Sequence, residues 1–546
     1  MFNSIKNKAA NKSGLFSFKT ELDKYRLLTL IGFVLVVIML AWQSDDAYHG
    51  YVMSRHLVDG DGFVYNAGER ATASTCPLFT LVIAAAYFIT REMYFTSILV
   101  CTVLSAFAYY IFAWKLCRTK NQLLVGFAAF VGSQAFISYT TSGLENSLLF
   151  FLSALFIWRL SKSEKYSGKE MLILALIFSL SAMTRMDSVL LFIPVIVWIY
   201  LFKRDNVSFI KAVGIGILGL MPFILWELFA LFYFGFPFPN PAYVKLGTHI
   251  SESEYIQRGI VYTIYTAFDD IVVIVMPVLY ILLSLISKKL KYITVAAGVV
   301  LYWVYIIRIG GDFMMGRHFT NMFFISVCMA VLLFNNEASN ILKIESYRKA
   351  FTLITISAVI FAATFGRTVG SQYLAGHEFS SQISDEREYY FSTTGLYNNL
   401  RSLVRNGRLC VSDTWNHEAT DDIRSHGVSG NIIDNAAGIL VYDNYDLYLN
   451  DTYCLGDPFL SKLPAKYNPN WRVGHIKREV PEGYGESIAY GGNRVKDKDL
   501  HEYYEKIRLI TRGDLFDIER IKAIIDINLG KYNYLIENYE IRKENE

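Results

Sequence analysis

Two adjacent carboxylates, Asp45 and Asp46, follow directly on the first long apolar run of the chain, Leu27 to Trp42. An ionised Asp near a bilayer centre costs roughly 2.5 to 3.5 kcal/mol even on a lenient insertion scale, so the pair must face water or a polar cavity. A carboxylate held at such a boundary can take the proton of a hydroxyl nucleophile. Asp45 is the first choice for that base, with Asp46 as runner-up or orienting partner. The plainer reading is a pair of solvated groups capping the end of a helix.

Groups of complementary chemistry lie far along the chain. Arg317, Arg185 and Lys245 are cations suited to an anionic phosphate, with Arg55 a weaker fourth. Arginine can bind two phosphate oxygens at once, while lysine acts as a point charge. The alternative for each is snorkelling to lipid headgroups. Asp312 can hold Arg317 or contact a sugar, Glu145 suits a helix N-terminus or sugar hydroxyls, and Asp187 and Asn240 complete the polar set. Tyr48, His49 and His475 are candidates for binding a second substrate. Tyr453, Trp471 and Tyr484 have the shape to stack on a glycan, although core packing accounts for such aromatics equally well. No His/Cys spacing resembles a zinc site, and there is neither a P-loop nor a Gly-x-Gly-x-x-Gly pattern. No cofactor is required, and a divalent cation stays open because carboxylates gather in the same loops.

Elements must bring these scattered residues together, and composition indicates which kind. The 546 residues are 53% hydrophobic and 15% aromatic yet still 18% charged. With a mean hydropathy of +0.30, the chain reads as a polytopic α-helical membrane protein with a substantial soluble part. A net charge of +3, against 52 basic and 49 acidic residues, gives no reason to infer a nucleic-acid partner.

Lysines and arginines set the orientation. The N-terminal tail carries Lys6, Lys8, Lys12, Lys19, Lys24 and Arg26, so it is expected on the cytoplasmic side, with Asp45 and Asp46 emerging outside. If Pro77 to Thr90 crossed, Lys115, Arg118 and Lys120 would fall outside, against the positive-inside rule. That stretch is therefore expected to lie in the outer interface. Spans are then expected near 27–43, 93–114, 121–140, 145–160, 170–184, 187–202, 209–234, 262–286, 292–309, 318–334 and 350–368, about eleven in all. The polar loops all fall on one face under this count. Loops collect charges in any membrane protein, but Arg185, Asp187, Asp312 and Arg317 sit within a residue or two of apolar runs, where a lipid phosphate would lie.

The chain divides into a membrane part, 1–369, and an outer domain, 370–546. The outer domain reads as mixed α/β, with β-like runs at Leu409-Cys410-Val411 and Ile439-Leu440-Val441-Tyr442 and helices from about Leu500 onward. Cys410 and Cys454 both fall in it and could pair in an oxidising compartment. The first twenty or so residues look disordered.

The runs Asp45-Asp46-Ala47-Tyr48, Gly60-Asp61-Gly62-Phe63-Val64-Tyr65-Asn66 and Thr75-Cys76-Pro77-Leu78 resemble the first outer loop of GT-C glycosyltransferases, in particular the bacterial terminal arabinofuranosyltransferases. The likeness continues through Ser142-Gly143-Leu144-Glu145, Arg185-Met186-Asp187, Pro239-Asn240-Pro241 with Lys245, and Gly310-Gly311-Asp312-Phe313-Met314 with Arg317. It reaches Gly456-Asp457-Pro458 and Gly474-His475 in the outer domain. The resemblance implies an enzyme of the bacterial cytoplasmic membrane that moves a sugar, arabinofuranose at best guess, from a polyprenyl-phosphate donor. The acceptor would be a glycan or glycoprotein on the outer face, with the C-terminal domain periplasmic. It also implies an acidic base at the start of the first outer loop, followed by a juxtamembrane helix. Two other classes stay open: a lipid-linked sugar flippase, which would show polar residues along its spans, and a non-catalytic scaffold of a glycan-assembly complex.

Overall fold

The computed structural model describes residues 20–335, 344–361, 363, 382–434 and 438–545. Residues 1–19 of the N-terminal tail and the proposed boundary near 369 lie outside these residues. Helices dominate throughout. The sheet found among the described residues consists of two short parallel strands, Gly430–Ile433 and Tyr448–Asp451.

Among the described residues, three helices are long and apolar enough to cross a membrane: Tyr94–Leu116, Phe209–Tyr233 and Leu290–Arg308. A fourth arises if Glu252–Asp269 and Ile271–Ser287, bent by 108° at their junction, count as one broken span. Pro77–Thr90, Asn146–Ser161, Ile193–Phe202 and Phe319–Phe334 are apolar but shorter. On length and composition, then, the expected eleven crossings come down to three or four clear ones.

The exterior of these helices is apolar. Phe209–Tyr233 has 25 residues and so a length of about 37 Å, and it leaves Ile210, Ile217, Leu218, Leu225 and Leu228 exposed. The first helix, Glu21–Met39, starts at Thr20, whose hydroxyl accepts from the Asp23 amide. It exposes Leu28, Ile31, Leu35 and Ile38 at helical spacing along one face and buries Phe33 and Val37 on the other. Apolar exposure on this scale is unfavourable in water, so these faces call for an apolar surround.

Two expected spans are each interrupted, and one carboxylate accounts for both breaks. The stretch 121–140 splits at Ser133 into Lys120–Gly132 and Gln134–Ser138, and 262–286 splits at Asp270. Asp270 is buried and accepts from Val272 and Val273 amides at 3.1 and 3.2 Å, from Ser133 Oγ at 2.6 Å and from the Ala135 amide at 2.9 Å. Helix starts leave amides without intrahelical partners, and here two starts share one acceptor. Hydropathy runs straight through both breaks because a single polar residue hardly changes a window average.

The C-terminal region is more helical than the sequence reading suggested. Ile439 to Tyr442 lie in a short helix, Gly438–Asp443, and Val411 begins a 3-10 turn, Val411–Asp413. The first of these has a clear cause. Asp45, remote in sequence, accepts from the amides of Gly438 and Ile439 at 3.2 and 2.9 Å and so supplies the acceptor that a helix start needs. Lys498–Arg512, Ile518–Asn528 and Asn533–Asn545 form the closing helices. Cys410 and Cys454 are free thiols, directed at the carbonyls of Thr393 and Thr452 respectively.

The core crosses the expected domain boundary. Val52, Phe63, Tyr65, Ala230 and Phe234 pack in one buried cluster with Ile423, Ile433, Leu440 and Leu449. Phe236 and Val244 join a second cluster with Phe459, Tyr484, Tyr504 and Ile510. The two regions thus clasp a shared space, which holds the site.

Candidate functional site

A cavity of about 680 Å³ opens between the helical part and the C-terminal region. One wall is apolar: Phe223, Trp226, Ala230 and Phe234 recur at helical spacing at the end of Phe209–Tyr233 and face Phe79 and Ile83 of Pro77–Thr90. Glu227 lies on the same wall. The opposite end is polar and is built from four loop-to-helix junctions.

Each junction contributes its charged residue for a local reason. Asp46 precedes the helix Ala47–Asp59, Glu145 precedes Asn146–Ser161, and Arg185 ends Gly168–Thr184. Arg317 comes from the glycine-rich loop before Phe319–Asn335. Gly143 and Gly311 have φ of 79° and 75°, and a side chain at either would strike Tyr51 or Tyr262. These glycines let the loops approach closely enough to bring their carboxylates and guanidiniums together.

The resulting network is centred on Glu145. Its Oε1 accepts from Arg185 Nη1 at 2.7 Å and from Arg317 Nη2 at 3.2 Å. Arg185 Nε donates to Asp187 Oδ1 at 2.8 Å, and Arg317 Nη1 lies 3.6 Å from Asp312 Oδ2. Burial works against the Glu145 anion, but Arg317 and Arg185 outweigh it and hold the carboxyl at about 2. His318, within 3.2 Å of Arg185, is pushed well below its ordinary range by burial and then by Arg185, Arg317 and Lys245, so it is neutral there.

Lys245 stands apart from this network. It follows the short helix Asn240–Val244, lines the cavity, and makes no ion pair among the described residues. Burial lowers its pKa, with Asp312 acting against that. Asp46 also lines the cavity, and burial pushes its carboxyl up to about 7, assisted by Asp45 and Asp312 and opposed by Arg317 and Arg472.

Ten of the residues singled out in the sequence line this cavity: Asp46, His49, Glu145, Arg185, Asp187, Lys245, Asp312, Arg317, Tyr453 and His475. Asp45 does not. Its carboxylate is taken up by Trp415 Nε1 at 2.8 Å and by the amides of Gly438 and Ile439, which makes it a strut to the C-terminal region. Arg55 is also elsewhere, stacked 3.4 Å from the ring centre of Tyr445. Asn240 turns away toward Lys462 Nζ at 3.5 Å, and Tyr48 donates to Gln43 Oε1 at 2.6 Å inside the core. Among the aromatics, Tyr453 faces the cavity, while Trp471 packs on Tyr255 and Tyr484 bonds Asp457 in the core.

The segment Thr72 to Pro77, part of which the sequence resemblance had marked, forms part of the wall. Sequence reasoning passed over Asp451, which, at the end of the strand Tyr448–Asp451, reaches the cavity from the C-terminal region. The available signal for Asp451 was an acidic residue closing a short apolar strand. Among the described residues, no group of three or more His, Cys, Asp or Glu side chains is arranged to hold a metal ion. Comparison with models of known protein families finds no match, and comparison with curated protein sequences finds none either.

Proposed function

We propose that the protein is a membrane glycosyltransferase that takes a sugar from a polyprenyl-phosphate donor and passes it to a hydroxyl acceptor. The observation that carries this reading is the meeting, in one cavity, of a carboxylate with a pKa near neutrality, a lone lysine with two neighbouring arginines, and an apolar wall continuous with a membrane-length helix.

Each part has a role in that chemistry. Asp46, rather than Asp45, is the base: it accepts the acceptor hydroxyl proton as the oxygen bonds to the anomeric carbon. The bond from that carbon to the phosphate oxygen breaks, and the lipid phosphate departs with one more negative charge. The charges of Arg185 and Arg317 are largely answered by Glu145, Asp187 and Asp312. Lys245, which makes no ion pair among the described residues, is the cation left free to pair with the phosphate, and the arginines supply oriented N–H donors. The isoprenoid chain lies along Phe223, Trp226 and Phe79. On this reading the cavity mouth is on the outer face of the cytoplasmic membrane and the first helix starts in the cytoplasm; arabinofuranose is the first sugar to try.

The test incubates purified protein with a panel of polyprenyl-phosphate sugars and an acceptor mixture and follows released lipid phosphate by mass spectrometry. Asp46→Asn should lower release by roughly 10² to 10⁴ fold. Lys245→Ala should weaken donor use about tenfold or more. Undiminished release by Asp46→Asn would remove the base, and donor translocation across a vesicle without sugar release would favour a flippase.

A further inference from the structure

The cavity lining also holds a carboxylate that donor chemistry does not use. Asp451 is buried, only 1% exposed, yet neither of its carboxylate oxygens has a hydrogen-bond partner, and it lines the cavity. Its neighbour Asn450, on the other face of the strand, is fully engaged with Asn66 and Asp457. Alternation along the strand thus sends one polar residue into the core network and the next into open space. A buried acceptor without a donor costs about 1 to 3 kcal/mol, so an unpartnered carboxylate aimed at a cavity marks a place where a ligand brings the donors.

The surroundings suit a sugar. His49 bears electrostatically on Asp451 and has its Nδ1 3.0 Å from Tyr65 Oη. The amides of Tyr453 and Cys454 favour the Asp451 anion, and the Cys454 amide donates to the Asp451 main-chain carbonyl at 2.9 Å. His475 is set edge-on between Phe313, at 4.4 Å between ring centres, and Tyr453, at 4.8 Å. Carboxylate acceptors beside aromatic surfaces match sugar hydroxyls beside the apolar faces of a pyranose or furanose ring.

From this juxtaposition we infer that Asp451, His49, Tyr453 and His475 form the acceptor subsite and bind the terminal sugar of a glycan through two or more of its hydroxyls. The inference rests on the glycosyl-transfer reading and assigns the C-terminal region the task of choosing the acceptor. Asp451 is here a binding residue, with the proton transfer left to Asp46.

The experiment measures binding, without turnover, on the full chain in nanodiscs. Two probes are used: a glycan array of arabino-, manno-, galacto- and gluco-oligosaccharides, and sugar-free polyprenyl phosphate. The wild type should retain at least one glycan class, and Asp451→Asn should weaken that retention at least tenfold while polyprenyl-phosphate binding is unchanged. Thermal unfolding accompanies it: Asp451→Asn should melt no lower than wild type, since it removes an unpaired buried charge, whereas a structural role would lower the melting temperature. His49→Ala provides a second variant with the same expected loss of glycan. Glycan retention unchanged in both variants overturns the subsite, as does a folded wild type that retains no glycan, or one that binds calcium through Asp451 instead. Glycan bound through Asp451 with no affinity for polyprenyl phosphate would leave the subsite standing and sink the donor assignment.

Discussion

At the scale of single residues, Asp45 and Asp46 show how neighbours in sequence acquire different work. Asp46 faces the cavity and is raised to about 7, so its basic form dominates only above that value. Transfer measured as kcat/KM should therefore climb about tenfold per pH unit below 7 and level off above it. The same shift has a stability consequence. A carboxyl whose folded pKa lies above its ordinary value stabilises the fold below that ordinary range, and this contribution is lost as pH rises through about 7. Asp46→Asn, which cannot ionise, should thus melt higher than wild type at pH 8 and converge with it near pH 4. Asp45→Asn should behave oppositely. Its amide would confront one of the three donors that now converge on the carboxylate, costing about 1 to 3 kcal/mol in thermal or denaturant unfolding.

At the scale of elements, breaks in helices do the positioning. The junction at Asp270 joins two interrupted helical stretches through four hydrogen bonds to one side chain. Asp270→Ala would leave those donors buried without an acceptor, and the expected loss is about 3 kcal/mol or more, seen as a lower melting temperature in detergent. A loss under about 1 kcal/mol would mean that the junction is held by its apolar contacts alone. The chain-order logic of such breaks is only half visible in advance. Asp270 is recognisable as an acidic residue within an apolar run, whereas Ser133 is an ordinary residue there until its partner is known. The run at Ile439 follows the same rule: its local pattern suits a strand, and the distant Asp45 carboxylate accepts from the amides of a helix start there instead.

At the scale of the whole molecule, the C-terminal region and the helical part share two buried clusters. The isolated segment 382–546 should accordingly lack a cooperative thermal transition and sharp near-ultraviolet circular dichroism, both of which the full chain should have. An independently folding segment would show that the shared clusters are dispensable. On the proposed orientation, a cysteine introduced at Arg118 should label only from the cytoplasmic face, and one at Glu418 only from outside. Labelling at Arg118 from outside would reverse the reading of Pro77–Thr90 as a helix that does not cross.

Apolar composition, helical periodicity and the charges beside apolar runs were legible from the chain alone, because they depend on local side-chain chemistry and on what a residue costs in lipid. That reasoning picked out Glu145, Arg185, Lys245, Asp312 and Arg317, which the fold brings to one cavity. Which of two adjacent carboxylates faces the cavity, where a helix breaks, and that Asp451 joins the cavity lining were settled only by tertiary contacts. Those outcomes depend on which distant donor reaches a given oxygen, and one-dimensional spacing contains no measure of that distance.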